Sequence, residues 1–590
     1  MVNQKIERFS MRWGGFAGDG LQSTGILLQK YFNSLGYYVQ GFPGTQSTIR
    51  GGHVWQHVEI SSSMMHSHDR KLNLIVALNE QTLEVHCRDL KDDGIILYNS
   101  TKIKEDKLEE YNNFRIIPLA MSEIARNVDL QTSVLANTVA VGAVLAILNL
   151  DLESYEKVLE KRFGNRENVL AMNKAALLQG YDVVGKNGSL FDLENVKKSE
   201  RFVASGNEMI ALGAACSGLK FLAQYPITPA SSILTYLSKR ADKYGVVVRQ
   251  AEDELAAINM VIGASYAGAR AMTASSGPGI SLMAESFGYA SMTETPIVVV
   301  NSMRGGPSTG IPTKMEQADL NSMIHLSHGE APRIILAPRN IREAFDITVR
   351  AFNLADIYQI PVIILSDFSL SERTENLEPF DLSVKVERGK IWKEPTDEYP
   401  TFARYKDSED GIAPRAFPGT KDAQYILVGA EHDEESHSLS GNRCGLPESW
   451  EVRDKMIKRR YRKFELIKKE LNGPDIYGDF NEFTLICWGS IEGAVREAAD
   501  RLNESGEKFN VVSFADIYPL SVHKIIPVLE KIQNSIMIEV NYTGQFENLL
   551  KLECDWKIDY RIHPLSGETP TSSSLIPEIL EVIGMEDNNL

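Results

Sequence analysis

The chain has 590 residues, 43% of them hydrophobic and 24% charged, which is the balance of a globular protein long enough for three or four domains. Its 62 basic and 79 acidic side chains leave a net charge of −17, which argues against nucleic acid as the main partner. Five cysteines (Cys87, Cys216, Cys444, Cys487, Cys554) show no CxxC and no paired spacing, fitting a reducing cytoplasm and excluding a sequence-local zinc or iron–sulfur site, so no metal ligands are expected in this chain.

Residues 1–190 alternate short apolar runs (74–78, 94–97, 114–118) with helical patterns, as in an α/β domain. No charged-then-apolar leader is visible. The most apolar stretch, 134–150, is interrupted by Asn137 and Thr138 and falls short of the roughly 20 residues of a membrane span. The expectation is a cytoplasmic protein that does not enter a membrane. The loop "GGFAGDGLQSTG" (14–25) is predicted to leave a strand and open a helix, where backbone amides can hold an anion. It is either such a phosphate loop or a tight structural turn. Gly18-Asp19-Gly20 also resembles the start of the magnesium–diphosphate motif of thiamine enzymes. That motif needs an Asn a little under thirty residues on, and residues 44–50 read GTQSTIR, so this site is rejected. Nearby Arg50, in Arg50-Gly51-Gly52-His53, favours the anion reading.

After a polar linker (185–202), residues 205–375 show cleaner alternation. The runs 246–250, 295–302, 332–338 and 361–367 are rich in β-branched residues, and a helical pattern spans 342–355. Such strands read as buried on both faces of a parallel, doubly wound sheet. Three stretches stand out here. In "QYPITP" (224–229), Pro226 and Pro229 fix their own φ and bias the residues before them towards extended backbone, holding Thr228 on a stiff loop. Glu254 heads an Ala-rich helix nine residues before Gly263. It is either a helix N-terminal acid favoured by the dipole or a buried functional carboxylate, and Glu252 and Asp253 compete with it for the inward position. It leads to "SSGPGIS" (275–281), where Gly277 and Gly279 allow a flat ligand to approach the backbone. Finally, Arg304 in "NSMRGGPSTGIPTK" follows a buried strand, where α/β sheets collect ligands. Its fork suits a carboxylate; a structural salt bridge is the competing account.

Residues 376–480 are charge-rich and irregular, ending in a helix with the basic run 458–463, read as a solvated face or a docking patch. From 481 to 590 strands return at "FTLICWGS", "FNVVSF" and "SIMIEVN". The predicted architecture is therefore α/β, with three α/β domains (1–190, 205–375 and 481–590) and an insertion over 376–480.

Together "YPITP", "EDELAAINMVIGASYAGARAMTASSGPG", "MTETPIVVV" and "RGGPSTGIPTK" resemble, in order and spacing, the α subunit of the 2-oxoacid:ferredoxin (acceptor) oxidoreductases. The first 190 residues resemble the family's γ subunit fused ahead of α, and "EVNYTGQ" (539–545) its transketolase C-terminal-like domain. "GAEHDEESH" (429–437) and the basic helix also fit the family. This resemblance implies a thiamine diphosphate pyrimidine-binding domain at 205–375, with Tyr225, Pro226, Ile227, Thr228, Glu254, Gly277 and Pro278 binding the cofactor. Glu254, or else Glu252, would hydrogen-bond N1′ of the aminopyrimidine. Thr228 would meet substrate and cofactor, Arg304 would pair with the substrate carboxylate, and Thr313, nine residues on, would line the same pocket. Coenzyme A would be the acyl acceptor, with Gly18, Asp19, Gly20 and Arg50 as its candidate contacts. The magnesium–diphosphate motif and the [4Fe-4S] ligands are implied in a separate β subunit. The expected assembly is an (αβ)2 hetero-oligomer that passes electrons to ferredoxin. The implied reaction is coenzyme A-dependent oxidative decarboxylation of a 2-oxoacid, 2-oxoglutarate being favoured over pyruvate or a broad range. A non-catalytic paralogue and an acetolactate-type thiamine enzyme are the rival readings.

Overall fold

Apolar runs become strands and amphipathic runs become helices throughout a computed structural model, which describes residues 4–44, 52–129, 134–185, 190–440 and 443–584. The chain forms two compact units. The first holds residues up to 204 together with 372–380 and 571–574, and the second holds 205–371, 381–570 and the residues from 575 on.

The first unit is built on an eight-stranded mixed sheet. Arg115–Leu119, Leu90–Asn99, Leu72–Ala77 and Arg8–Phe16 run parallel. The antiparallel strands His53–Ser61 and Tyr38–Gly44 follow, Thr374–Leu377 pairs antiparallel beyond them, and Phe202–Ser205 is the eighth strand at that edge. The apolar stretch near 140 is the helix Leu135–Ile147, buried on nearly every residue. It is apolar on nearly all sides, Asn137 and Thr138 apart, because the core surrounds it (Phe9, Met11, Leu28 and Leu177 belong to the same cluster). Among the described residues no helix is long and apolar enough to cross a membrane.

The second unit contains a seven-stranded sheet in the order Val247–Gln250, Leu219–Gln224, Arg270–Ser275, Val298–Met303, Val362–Asp367, Ile334–Leu336 and Asp516–Tyr518. The first six strands are parallel. The seventh, from far downstream, adds antiparallel. A five-stranded sheet follows, Asp475–Tyr477, Phe509–Phe514, Phe483–Trp488, Asn534–Ile538 and Tyr560–Ile562, parallel except at its first strand. The α/β prediction is thus met, and the helix expected at 342–355 spans Ile341–Tyr358. One strand departs from expectation. Val247–Gln250 is not buried on both faces but lies at the sheet edge, with Val247 53% exposed. β-Branched content marks a strand and does not distinguish a central strand from an edge.

The basic run 458–463 is corrected more substantially. It sits on the helix Pro447–Glu470, but Arg459, Arg460 and Lys463 are buried rather than solvated. Arg459 and Lys463 converge on Glu294, the middle residue of "TET", which is fully buried. Lys463 Nζ donates to Glu294 Oε2 at 2.8 Å, and Arg404 Nη2 donates to the Glu294 carbonyl at 2.8 Å. Arg460 forks onto Glu431 of "GAEHDEESH" at 2.8 and 2.9 Å. Burial works to raise the Glu294 carboxyl, but Arg459, Lys463 and Arg404 overcome it and hold the group well below the usual carboxylate range. Burial also pushes the Lys463 ammonium down to about 8. The irregular segment and its helix are therefore clamped to the seven-stranded sheet domain through Glu294 and through a second buried carboxylate, Asp356, which pairs with Arg388 at 2.9 Å and Arg415 at 2.7 Å.

Candidate functional site

The carboxyl ends of the parallel strands Leu219–Gln224, Arg270–Ser275 and Val298–Met303 converge on one region of the second unit, where open α/β sheets place their ligands. The first loop after these ends is 224–231. Gln224 is fully buried and its Nε2 donates to the Ala230 carbonyl at 2.9 Å. Asn207 Nδ2 donates to the Pro229 carbonyl at 2.8 Å, and Ser231 N–H to the Ile227 carbonyl at 3.0 Å. The Thr228–Pro229 bond is cis. Two prolines cannot donate, so side-chain amides and the following helix satisfy the loop carbonyls instead. Tyr225 at its start is exposed, and Pro226, Ile227 and Thr228 are part-buried.

The three competing acids separate cleanly. Glu252 is exposed, and Asp253 caps the helix Glu254–Tyr266 by accepting from Ala256 N–H at 2.7 Å. Glu254 alone turns inward and is 5% exposed. Its Oε1 accepts from Ser275 Oγ at 3.3 Å. Gly279, on the short helix Gly277–Leu282, lies directly beneath it: a Cβ there would come within 2.3 Å of Glu254 Oε1 and 2.1 Å of Ser275 Oγ. A side chain at 279 would displace the carboxylate. Gly277 is under the same constraint, because its Cβ would lie 2.8 Å from Asp319 Oδ2.

Arg304 Nη1 donates to the Thr228 carbonyl at 2.8 Å, bringing together two residues 76 apart in sequence. Its Nε is buried without a partner, and among the described residues no carboxylate forms an ion pair with it. Burial lowers the guanidinium's titration and Asp319 partly offsets this. The loop after Arg304 folds back on itself: Gly305 N–H donates to the Lys314 carbonyl at 3.0 Å, and Ile311 N–H to the Gly305 carbonyl at 2.9 Å. This returns the part-buried Thr313 to the neighbourhood of Arg304's own backbone. The loop is anchored further on by "EVNYTGQ". Gln317 N–H donates to the Val540 carbonyl at 2.7 Å, and Gln317 Nε2 to the Trp488 carbonyl at 2.9 Å. Gln545 Oε1 accepts from Asn321 N–H, and Gln545 Nε2 donates to the Ala318 carbonyl, both at 2.8 Å. Ser275, Gly279, Asn301, Asp319 and these two glutamines complete the region. Only the glycine-rich spacing signals one of them in the sequence; the rest meet across contacts of up to 227 residues.

In the first unit "GGFAGDG" leaves the strand Arg8–Phe16 and opens the helix Leu21–Leu35, as expected. Gly18 and Gly20 have φ of 102° and 85°, and Asp19 Oδ2 accepts from Phe16 N–H at 2.9 Å. Asp19 therefore closes its own turn. His53, beside this turn, places its Nε2 2.8 Å from His86 Nε2. Arg50 lies outside the described residues.

A profile described as pyruvate ferredoxin/flavodoxin oxidoreductase matches residues 10–183, and one described as pyruvate flavodoxin/ferredoxin oxidoreductase, thiamine diphosphate-binding, matches 213–443. The α subunit of 2-oxoacid:ferredoxin oxidoreductase from a Sulfolobus species is 33% identical over 98% of this chain and 97% of its own length. The chain belongs to the 2-oxoacid:ferredoxin oxidoreductases. The KorA subunit of 2-oxoglutarate oxidoreductase from Mycobacterium tuberculosis is 29% identical over 93% of this chain and 87% of its own. The solved 2-oxoglutarate:ferredoxin oxidoreductase from Magnetococcus marinus, with 2-oxoglutarate, coenzyme A and succinyl-CoA bound, is 32% identical. It has a TM-score of 0.88 and covers 98% of this chain and all of that one. This family is one of oxidoreductases, and the thiamine-type profile spans the candidate-site residues of the second unit from Gln224 to Asn321.

Proposed function

We propose that this chain supplies the substrate side of a thiamine-dependent active site. There a 2-oxoacid, with 2-oxoglutarate as the favoured substrate, undergoes coenzyme A-dependent oxidative decarboxylation with ferredoxin as electron acceptor. The carrying observation is Glu254, buried at a helix N-terminus above a glycine that only just admits its carboxylate. Support for 2-oxoglutarate comes from the names of the relatives, together with fusion of a γ-type region ahead of the α-type region. The proposed functional division is 1–190 for coenzyme A, 205–375 for the thiamine pyrimidine, 376–480 as a clamp and 481–590 as the transketolase C-terminal-like part.

The residues present fit the cofactor's ring. Glu254 would hold a proton at N1′ of the aminopyrimidine, and Gly277, Pro278 and Gly279 would leave room for a flat heterocycle. Bound thiamine diphosphate would supply the electron sink for loss of carbon dioxide. Tyr225 to Thr228 would fix its approach on a stiff loop, preserving a near-attack geometry. Arg304 would pair with the C1 carboxylate and Thr313 would touch the side chain that differs among oxoacids. Gly18 and Gly20, with Arg50, remain the proposed coenzyme A contacts. Asp19 has its carboxylate committed to the turn, so its part would be to shape the loop.

The half-site reading rests on what surrounds these residues. Leu255, Leu282 and Ile311, adjoining Glu254, the 277–282 helix and the Arg304 loop, are all exposed, as is Tyr225. Exposed apolar side chains around a polar site are the mark of a surface that a partner covers. A β subunit carrying Mg2+ and [4Fe-4S] ligands, in an (αβ)2 assembly, is the proposed partner. Expressed alone, the chain is expected to contain no iron and to reduce no low-potential dye; stoichiometric iron or dye reduction by the purified single chain overturns this reading.

Arg304 offers a sharper test. A bidentate guanidinium–carboxylate contact in a desolvated site contributes roughly 1.5–3 kcal/mol, and about 1.4 kcal/mol is tenfold. In the assembled enzyme Arg304→Lys keeps the charge and loses the fork, so kcat/KM should fall roughly tenfold to a hundredfold. Arg304→Met should fall further on pyruvate and 2-oxoglutarate alike. Thr313 variants should instead reorder the two oxoacids. A large drop in melting temperature with unchanged kcat/KM would assign Arg304 a structural part.

A further inference from the structure

Asp319 occupies the N-cap position of the helix Leu320–Ile324, where an aspartate ordinarily accepts from the first backbone N–H groups. Here it makes no such bond. Its carboxylate turns back towards the strand ends: Oδ2 accepts from Asn301 Nδ2 at 3.0 Å and faces Gly277. The backbone on both sides of it is held from outside. Gln317 and Ala318 before it, and Asn321 after it, are hydrogen-bonded to Val540, Asn541 and Gln545. The orientation is therefore built in rather than incidental. Asn301 itself is fully buried, with its Oδ1 unpartnered.

The charged groups that act on Asp319 are Arg304, at the end of the neighbouring strand, and Glu316, on its own loop. Asn301, Gln317 and Gln545 are uncharged amides. Glu254 lies across Gly279 of the same short helix whose Gly277 faces Asp319. Asp319 is thus a carboxylate beside a guanidinium to which it is not paired. Any anion that engages Arg304 brings a second carboxylate into the same desolvated space, and two carboxylates so placed disfavour simultaneous ionisation.

We propose that Asp319 is a positioning residue that couples 2-oxoacid binding to proton uptake: when a substrate carboxylate seats on Arg304, Asp319 takes one proton from solvent and becomes a neutral hydrogen-bonding partner. The inference rests on the assignment of Arg304 to the substrate carboxylate. Burial already raises the Asp319 carboxyl, and Glu316 adds to this, while the Asn301 hydrogen bond and Arg304 oppose it. The sign follows from linkage: the bound state holds more protons than the free state, so affinity is highest at low pH and falls as pH rises through the Asp319 titration.

The test uses the complete enzyme with its partner subunit and oxamate, an oxoacid analogue that cannot be decarboxylated. Calorimetry in buffers of different ionisation heat counts the protons taken up per oxamate bound. The KM for pyruvate and 2-oxoglutarate is followed over about pH 5 to 9. Close to one proton per oxamate is expected within the coupling window, with KM rising by up to about tenfold per pH unit there. Asp319→Asn should abolish the uptake and flatten the KM profile, moving KM more than kcat. Asn301→Ala keeps the carboxylate but removes a hydrogen bond to its charged form, so the rise in KM should begin at higher pH. Unchanged proton uptake in Asp319→Asn overturns the proposal. So does an unmoved onset in Asn301→Ala, which decides the matter if the first variant does not fold. Arg304→Met with wild-type KM on both oxoacids would instead fail the underlying assignment, whatever Asp319 does.

Discussion

Glu254→Gln in the assembled enzyme is expected to lower turnover by about two orders of magnitude or more, the range of a lost general acid–base group, while thiamine diphosphate still binds. The amide has the size of the acid it replaces, so the close approach of Gly279 is tolerated and Ser275 Oγ keeps an acceptor. In the proposed role, what would be lost is a negative charge able to share a proton with a ring nitrogen. Cofactor content measured after desalting, beside steady-state rates, separates binding from chemistry. The exposed Glu252 serves as an internal control. A dead Glu252→Gln beside a near-normal Glu254→Gln would transfer the role to the residue that points outward.

The second large effect concerns stability. Glu294→Gln should destabilise the fold by about 3–5 kcal/mol, the cost of leaving buried cations without their counter-charge. Arg459 and Lys463 are both essentially inaccessible to solvent and share this one carboxylate. Glutamine keeps the shape, including the left-handed backbone at 294 (φ 51°), so the effect would be electrostatic rather than conformational. Adding Lys463→Met should recover part of the loss, since one uncompensated charge is then removed. The pH dependence has a definite sign. The Glu294 carboxyl is depressed in the fold, so its contribution is complete above the ordinary carboxylate range and is lost as pH falls through the folded value. Wild type should therefore lose stability in acid more steeply than Glu294→Gln. Urea midpoints for both chains at neutral and acid pH check this, and equal midpoints at neutral pH would show that the cluster contributes nothing.

Much of this site was legible in the sequence because its parts are local. Two prolines around Ile227-Thr228 announce a stiff loop, and two glycines at 277 and 279 announce a close approach. Helix capping then resolves what the sequence left open among Glu252, Asp253 and Glu254, because the residue that caps cannot also face inward. Long-range pairing was not legible. The basic run 458–463 has the composition of a solvated face, and nothing local shows that its counter-charge is Glu294, 165 residues away in the case of Arg459. Asp319 looks like any helix-capping aspartate until its partner Asn301 is placed beside it. The strand at 246–250 has a buried strand's residues, but its position in the sheet order puts it at an edge.

The strand Asp516–Tyr518 and the side-chain amides of Gln317 and Gln545 also bear on how this chain can be taken apart. The C-terminal region completes the seven-stranded sheet of the thiamine-type domain and supplies hydrogen bonds to the loop that carries Asp319. A truncation near 480 would expose the Ile334–Leu336 strand as a new sheet edge and release that loop from its partners. Chimaeras between relatives would meet the same constraint, since the two segments share one sheet and one set of hydrogen bonds despite their separation along the sequence. Exchange of specificity would then succeed when the 304–321 loop and the 539–545 segment travel together.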